Sequence, residues 1–317
     1  MQFTKPAAVA AAGAVLALGL TACNNNSGSS SGGGGGDIKI GLSVSTLNNP
    51  YFVQLRQGAE AEAKKEGVKI TTTDAQNDAS QQVNQVQNFA SQSMKAIIIN
   101  PVDSAAAAPA VKAADRSKIP VIAADRGVDG ATVTQTVASD NVAGGKLAAQ
   151  ELGKALGGKG KVAVLQGTAG TSAANDRQKG FVEGIKAFPG IQVVAQQPAD
   201  FDRTKGLDVM TNIVQAHSDI TGVFAANDEM ALGAIKALGA KAGKQIKVVG
   251  FDGTPDGLKA IQAGTLTADV AQQPVLLGQM AVQAAVKAAK GDKIDATVAV
   301  PVKVATKDNV AQFTNGS

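Results

Sequence analysis

From Asp37 onward the chain alternates two hydrophobic periods. Short runs rich in Ile and Val are followed by longer stretches in which apolar residues recur at helical spacing. DIKIGLSV, VKITTTD, KAIIIN and IPVIAAD predict strands in the first half; KVAVLQG, IQVVAQQ, GVFAAND and IKVVGFD predict strands in the second. Between them PYFVQLRQGAEAEAKKEG, SQQVNQVQNFASQS, NDRQKGFVEGIKAF and EMALGAIKALG predict helices. Strands separated by helices imply βαβ units and parallel sheets. After Asp269, VAQQPVLLGQMAVQAAVKAAKG predicts a further long helix and VPVKVAT a last strand.

The two halves share a spacing. KAIIIN ends at Asn100 and IPVIAAD at Asp125, 25 residues later; GVFAAND presents Asn227 and IKVVGFD ends at Asp252, again 25 residues later. The fold class expected is therefore α/β, with two similar doubly wound parallel-sheet domains and a chain crossing near ASDNVAGG.

The pattern fails at the amino end. MQFTKPAAVAAAGAVLALGLTA carries one lysine, Lys5, ahead of an apolar run from Ala7 to Leu20. That run is too short and too weakly flanked to span a membrane, and residues 1–22 read as a secretory signal. It ends in Leu20-Thr21-Ala22-Cys23, which resembles the bacterial lipoprotein cleavage box, where the cysteine becomes the new terminus and carries lipid. An ordinary signal with an accidental cysteine is the alternative. Cys23 is the only cysteine and lies at the cleavage point, which favours lipidation and leaves no disulfide within the mature chain. The Gly/Ser/Asn tract through residue 36 reads as a flexible tether holding a folded body off a membrane. Export is expected, to the periplasm or cell surface.

Charge narrows the partners. The net +4 comes from lysines and arginines scattered among acids, as in AEAEAKKEG, which marks solvated helix faces. No basic cluster with interleaved aromatics is present, so nucleic acid is excluded as a partner. Aromatics are scarce, nine phenylalanines, one tyrosine and no tryptophan, yet STLNNPYF sets Tyr51 and Phe52 side by side at a strand-to-helix turn.

In open parallel sheets ligands sit outside the carboxyl ends of the strands. There the first half offers Ser45, Asn49, Asn100, Asp125 and Arg126; the second offers Arg177, Asn227 with Asp228, Asp252 and Gln272. Amides, carboxylates and guanidinium groups form bidentate hydrogen bonds that match adjacent hydroxyls on a small ring. Aromatic faces match that ring's C–H surfaces.

Each candidate also has a structural explanation. Asn49-Pro50 suits an N-cap and first helical position. Phe52 falls on a helical stripe with Leu55, Ala59 and Ala63 and could be core. Tyr51 points about 100° away from that stripe and is not explained by it. Phe201 could be a hydrophobic staple, and Asp125 and Asp252 could be N-caps. Arg126 follows a buried strand, where an unpaired charge is costly, so a polar cleft explains it better. His217 reads as a surface residue at a helix carboxyl end. A lone histidine, no zinc-type cluster and no Ser/His/Asp chain leave nucleophilic and metal hydrolysis unsupported. LQGTAGTS and GKALGGKG approach phosphate-loop patterns but fail in residues and context. No cofactor and no metal is expected.

STLNNPYF, INPVDS, DRGV, ASDNVAGGK, LQGTAGTSA, QPADFDRTKGL, NDEMALGA and VVGFDGTPDG together resemble the periplasmic sugar-binding protein family, at its ribose-binding branch. The resemblance runs from Asp37 to about Thr306. It implies the type I periplasmic binding protein fold, two α/β domains joined by a three-segment hinge and closing on one sugar. The domains would be residues 37–139 plus 273–300 and 140–272 plus 301–317. By resemblance Ser45, Asn49, Asn100, Asp125, Arg126, Arg177, Asn227, Asp252 and Gln272 would bond the sugar hydroxyls and ring oxygen. Tyr51, Phe52 and Phe201 would pack on its faces. The implied role is the substrate-binding component of an ABC sugar importer, not an enzyme. Its partners would be a small aldose with ribose favoured, a membrane permease and a chemoreceptor. The chain would be a monomer that meets the membrane through lipid alone.

Ribose binders of the family commonly carry phenylalanine where this chain has Tyr51, so the hydroxyl could bind water or select another pentose or a hexose. The calcium loop and stacking tryptophan of galactose binders have no match. The effector-sensing half of a sugar-responsive repressor shares this fold, but predicts an amino-terminal helix-turn-helix instead of a signal and tether. A sugar-modifying enzyme predicts a general base beside a phosphate or metal site, and neither is in the inventory.

Overall fold

A computed structural model describes residues 38–314; the expected signal, Cys23 and the expected tether, all within residues 1–37, and the last three residues lie outside them. The first half builds β1 (Lys39–Val44), α1 (Pro50–Lys65), β2 (Lys69–Asp74), α2 (Ala79–Ser91), β3 (Ala96–Ile99), α3 (Ala108–Arg116), β4 (Val121–Ala124) and β5 (Gln135–Ser139). The second half builds α4 (Asn141–Ala155), β6 (Lys159–Gln166), α5 (Ser172–Ile185), β7 (Gly190–Pro198), α6 (Arg203–Ala216), β8 (Gly222–Ala225), α7 (Asp228–Leu238), β9 (Lys247–Asp252), α8 (Pro255–Gln262) and β10 (Ala268–Ala271). Then follow α9 (Pro274–Lys290), β11 (Thr297–Val300), β12 (Lys303–Thr306) and the short α10 (Ala311–Thr314).

The strands form two six-stranded sheets, ordered β11-β5-β4-β3-β1-β2 and β12-β10-β9-β8-β6-β7. Substituting β6–β10 for β1–β5 converts one order into the other, which is the shared plan that the 25-residue spacing implied. All pairings are parallel except β10 with β12. The chain passes between the sheets three times, at Asp140, at Gln272-Gln273 and at Pro301-Val302.

Two expectations are corrected. VPVKVAT is not one strand: β11 ends at Val300, and β12 begins at Lys303 in the other sheet. Pro301 has no N–H to continue the ladder, and the chain changes sheet there. The long helix after Asp269 starts only at Pro274, its first helical position, because Ala268–Ala271 pair as β10. β5 and β10 were not among the expected strands, since QTVAS and ADVA carry no apolar run to mark them.

Strands β3, β4, β8 and β10 are buried along their whole length, as parallel strands covered on both faces must be. Ala96 and Ile98 pack toward α1 and α9, while Ile97 and Ile99 pack toward α2 and α3, the two-residue period of a strand. Around the second sheet a single core gathers Leu152, Phe181, Phe224, Met230 and Phe251. Phe181 and Phe224 stack there, centroids 4.5 Å apart.

The helix pairs cross at glycines. In α4 and α5 a side chain on Gly145 would run into the Arg177 carbonyl oxygen, and one on Gly180 into that of Val142. This close approach fixes the turn of α5 that carries Arg177. Gly145→Val should therefore force the two helices apart and cost about 1–3 kcal/mol by overpacking. Urea unfolding measures it; a midpoint equal to the parent's would show that the crossing tolerates bulk.

Candidate functional site

The carboxyl ends of the two sheets face each other, and the polar residues found at those ends meet between them. Ser45 follows β1, Asn100 follows β3, and Asp125 and Arg126 follow β4; Asn227 follows β8, Asp252 ends β9 and Gln272 follows β10. Asn49 caps α1 by accepting from the Tyr51 N–H at 2.9 Å, with Pro50 at the first helical position. Asn227 likewise caps α7, accepting from Met230 N at 3.0 Å. Asp125 and Asp252 are not caps: the element after Asp125 is strand β5, and Thr254 caps α8.

Asn49, Tyr51, Phe52, Asp125, Arg126, Ala173, Arg177, Phe201, Asn227 and Asp252 line a narrow space between the sheets. All but Ala173 are residues the sequence singles out. Ser45, Asn100 and Gln272 do not line it and stand behind those that do. Asn100 Oδ1 accepts from Ser45 Oγ at 2.7 Å and Ser45 N at 3.1 Å, and Asn100 Nδ2 donates to Asp125 Oδ2 at 3.3 Å. Gln272 Nε2 donates to Asp252 Oδ1 at 2.7 Å. These three orient the carboxylates rather than bordering the space. Asp228 is buried away from it.

Two guanidinium groups are buried here. Arg177 Nε donates to Asn141 Oδ1 at 2.8 Å, and Nη1 donates to Ala226 O at 2.8 Å and to Asp252 Oδ1 at 3.4 Å. Its Cζ lies 3.9 Å from the Phe251 ring centroid and 5.5 Å from that of Phe201. Arg126 Nη1 donates to Pro101 O at 2.8 Å, and its Nε stands 3.7 Å from Asp125 Oδ2. Its Cζ is 5.1 Å from the Phe52 centroid and 5.6 Å from that of Phe201. Phe52 and Phe201 thus face the space from opposite lobes, each beside a cation.

Phe251 and Asn141 escaped the sequence reading. Strand alternation turns Phe251 away from its neighbour Asp252 and into the core, where it supports Arg177 from below. Asn141 opens α4 and looks like an ordinary helix start. The available signal was Asp252 itself, whose partner had to be held in place by something.

The backbone is strained at the same points. Asp125 (φ 68°), Asp252 (φ 130°), Asp200 (φ 53°) and Phe201 (φ 59°) adopt positive φ without being glycine. Such conformations cost about 1–3 kcal/mol each and cluster at functional sites. Phe201 reaches its place because Gly167 beneath it carries no side chain.

Burial pushes the Asp252 carboxyl well above the ordinary range, with Arg177 opposing and Asp228 reinforcing. Burial also lowers Arg126, partly offset by Asp125. The Tyr51 phenol is raised by burial first and then by the Asp125 charge. Behind the site Asp228 Oδ2 accepts from Thr254 N at 2.8 Å and Oγ1 at 2.6 Å. Asp228 and Asp269 are both 0% exposed; burial raises both carboxyls, Asp269 to about 7, and the Asp269 charge raises Asp228 further. Chemically the space suits a compact, uncharged, polyhydroxylated ring with two apolar faces.

A family model described as periplasmic binding protein domain matches residues 40–293. The chain is 49% identical over 271 residues to the ribose import binding protein RbsB of Bacillus subtilis, covering 86% of this chain and 88% of that one. It is 48% identical over 268 residues to RbsB of Salmonella typhimurium, covering 84% and 90%. Among solved structures, an ABC transporter solute binding protein from Bacillus halodurans with bound myo-inositol superposes with a TM-score of 0.83 at 36% identity, covering 89% and 99%.

The buried acid pair makes stability depend on pH. An unfolded aspartate loses its proton near about 3.9, whereas folded Asp269 keeps its proton up to about 7. Between those values the folded protein binds more protons than the unfolded one, so this contribution favours folding at low pH and is lost as pH rises through about 7. Asp269→Asn should flatten that decline, read as urea midpoints across the range. A slope identical to the parent's would sink the account of Asp269 as a buried, raised acid.

Proposed function

We propose a role for a chain that belongs to the periplasmic binding protein family: it is the extracytoplasmic substrate-binding component of an ABC sugar importer. It takes a small aldose, D-ribose in the first place, between its lobes and closes on it about the three chain passages. It performs no chemistry on the sugar; its relatives are solute-binding proteins. The observation that carries this reading is the pairing of Phe52 and Phe201 across one narrow space, with Asp125 and Arg126 from one lobe and Arg177, Asn227 and Asp252 from the other.

The division of labour follows from that arrangement. Phe52 with Tyr51 covers one face of the ring, and Phe201 covers the other. The carboxylates accept from vicinal hydroxyls while the guanidinium groups and amides donate to their oxygens. Ser45, Asn100 and Gln272 then act through Asp125 and Asp252. Residues 37–139 with 273–300 form one lobe and 140–272 with 301–317 the other. A sugar that touches both lobes favours the closed form by its extra contacts, while one that touches a single lobe does not. The closed form is the one a permease can recognise as loaded.

The test is calorimetry of the mature protein against ribose, xylose, arabinose, allose, galactose and glucose, with ribose expected to bind tightest. Hydrogen bonds to a charged group are worth about 1.5–3 kcal/mol, and truncation also strands the buried partner. Asp125→Ala and Arg126→Ala should each weaken binding by about a hundredfold or more. Losses below about threefold in both would move the site elsewhere.

Family membership implies export to the periplasm. We further propose that Cys23, which lies outside the described residues, carries a lipid and tethers the body to a membrane. Mass spectrometry of membrane-extracted protein should find a chain that starts at Cys23 with added acyl mass. Finding only soluble chains that begin at Asn24 or later would reject the anchor.

A further inference from the structure

Tyr51 occupies a place that ring packing alone does not require. Its ring stands edge-on to Phe52, centroids 5.2 Å apart, and is 2% exposed. Its hydroxyl lies 2.8 Å from Asp125 Oδ1 and 3.1 Å from Gln272 Oε1. Asp125 belongs to the first sheet's strand ends, whereas Gln272 follows β10 of the second sheet and immediately precedes the passage into α9. Gln272 is in turn held twice by Asp252: its N–H donates to Asp252 O at 2.9 Å and its Nε2 to Asp252 Oδ1 at 2.7 Å.

We propose that Tyr51 is a positioning residue whose hydroxyl ties the two lobes together at the hinge, setting Asp125 and Asp252 in register before any sugar is bound. The links run Asn100–Asp125–Tyr51–Gln272–Asp252–Arg177, and each lies between protein groups. A phenol has one proton and here faces two acceptor oxygens, the charged one nearer. Asp125 therefore takes the larger share, and the Gln272 contact supplies the cross-lobe part. Because the tie lies beside a chain passage, it constrains the angle at which the lobes meet more than the width of the cleft mouth. A protein already biased toward the binding-competent angle loses less apparent affinity to rearrangement. Only this effect on affinity rests on the reading of the cleft as a sugar site; the tie itself does not.

The test uses Tyr51→Phe and Gln272→Leu, singly and together, in the mature protein. Small-angle scattering without sugar should show a larger radius for Tyr51→Phe than for the parent. Ribose release should quicken by about tenfold in Tyr51→Phe. Tyr51→Phe should then add little further in the Gln272→Leu background, since the partner across the lobes is already gone. Because Tyr51 is the only tyrosine and the chain has no tryptophan, its ionisation can be read from whole-protein absorbance. The sugar-free protein should ionise above the ordinary tyrosine range. Superimposable sugar-free scattering of Tyr51→Phe and parent, independent effects of the two substitutions, or an ordinary tyrosine transition would each overturn the tie. If no sugar binds the parent, the proposed function fails while the sugar-free scattering still decides the tie.

Discussion

The structure is organised around charge held out of water. Arg126, Asp125, Arg177 and Asp252 are each at most 5% exposed at the meeting of the two sheets. Buried ions are tolerated only when paired and fully hydrogen-bonded, and half-satisfied clusters are worse than apolar packing. Much of the surrounding architecture answers that demand. The Ala226 carbonyl, Asn141 and the Phe251 ring take up Arg177; the Pro101 carbonyl takes up Arg126; Asn100 and Tyr51 bond the two oxygens of Asp125. Arg126 Nε alone among the guanidinium nitrogens near the cleft stands buried with no hydrogen bond among the described residues.

That demand also accounts for where the backbone is strained. Asp125 and Asp252 end equivalent strands, and both have positive φ. Leaving the strand direction at that point turns each carboxylate inward over the sheet edge instead of capping the next helix. The cost is offset by rigid neighbours: β4 and β9 are interior strands, paired on both sides and buried. Phe201, also at positive φ, is braced differently, by the ring's fit over Gly167.

How much of this could be read from the chain follows from what is local. Strand ends are legible because apolar runs stop abruptly at Asn100, Asp125, Asn227 and Asp252, and the sheet rule then places those residues near a ligand. The ring pairs were legible for a similar reason, since Tyr51 lies off its helix's apolar stripe. Distinguishing lining residues from supporting ones was not possible, because Ser45 and Asn100 differ from Asp125 only in which neighbour they face. Phe251 and the Asp228–Asp269 pair were hidden for a stronger reason. Their partners are brought together by β9, β10 and α7, and no one-dimensional pattern records a contact between Asp228 and Asp269. Short β5 and β10, with Gln, Thr and Asp among few apolar positions, are strands only because neighbouring strands supply both edges.

The break at Pro301 bears on the order in which the protein can be assembled. β11 completes the sheet begun by β1, and β12 completes the sheet begun by β6, so each sheet's outermost strand is among the last to leave the ribosome. α9, which covers α1 and packs on β3 and β4, is made after the whole of the second sheet up to β10. A nascent chain that stops short of Pro274 therefore has neither lobe finished: one lacks a face and an edge, the other an edge. For an exported polypeptide, that arrangement keeps both halves unfinished until nearly the whole length has been synthesised.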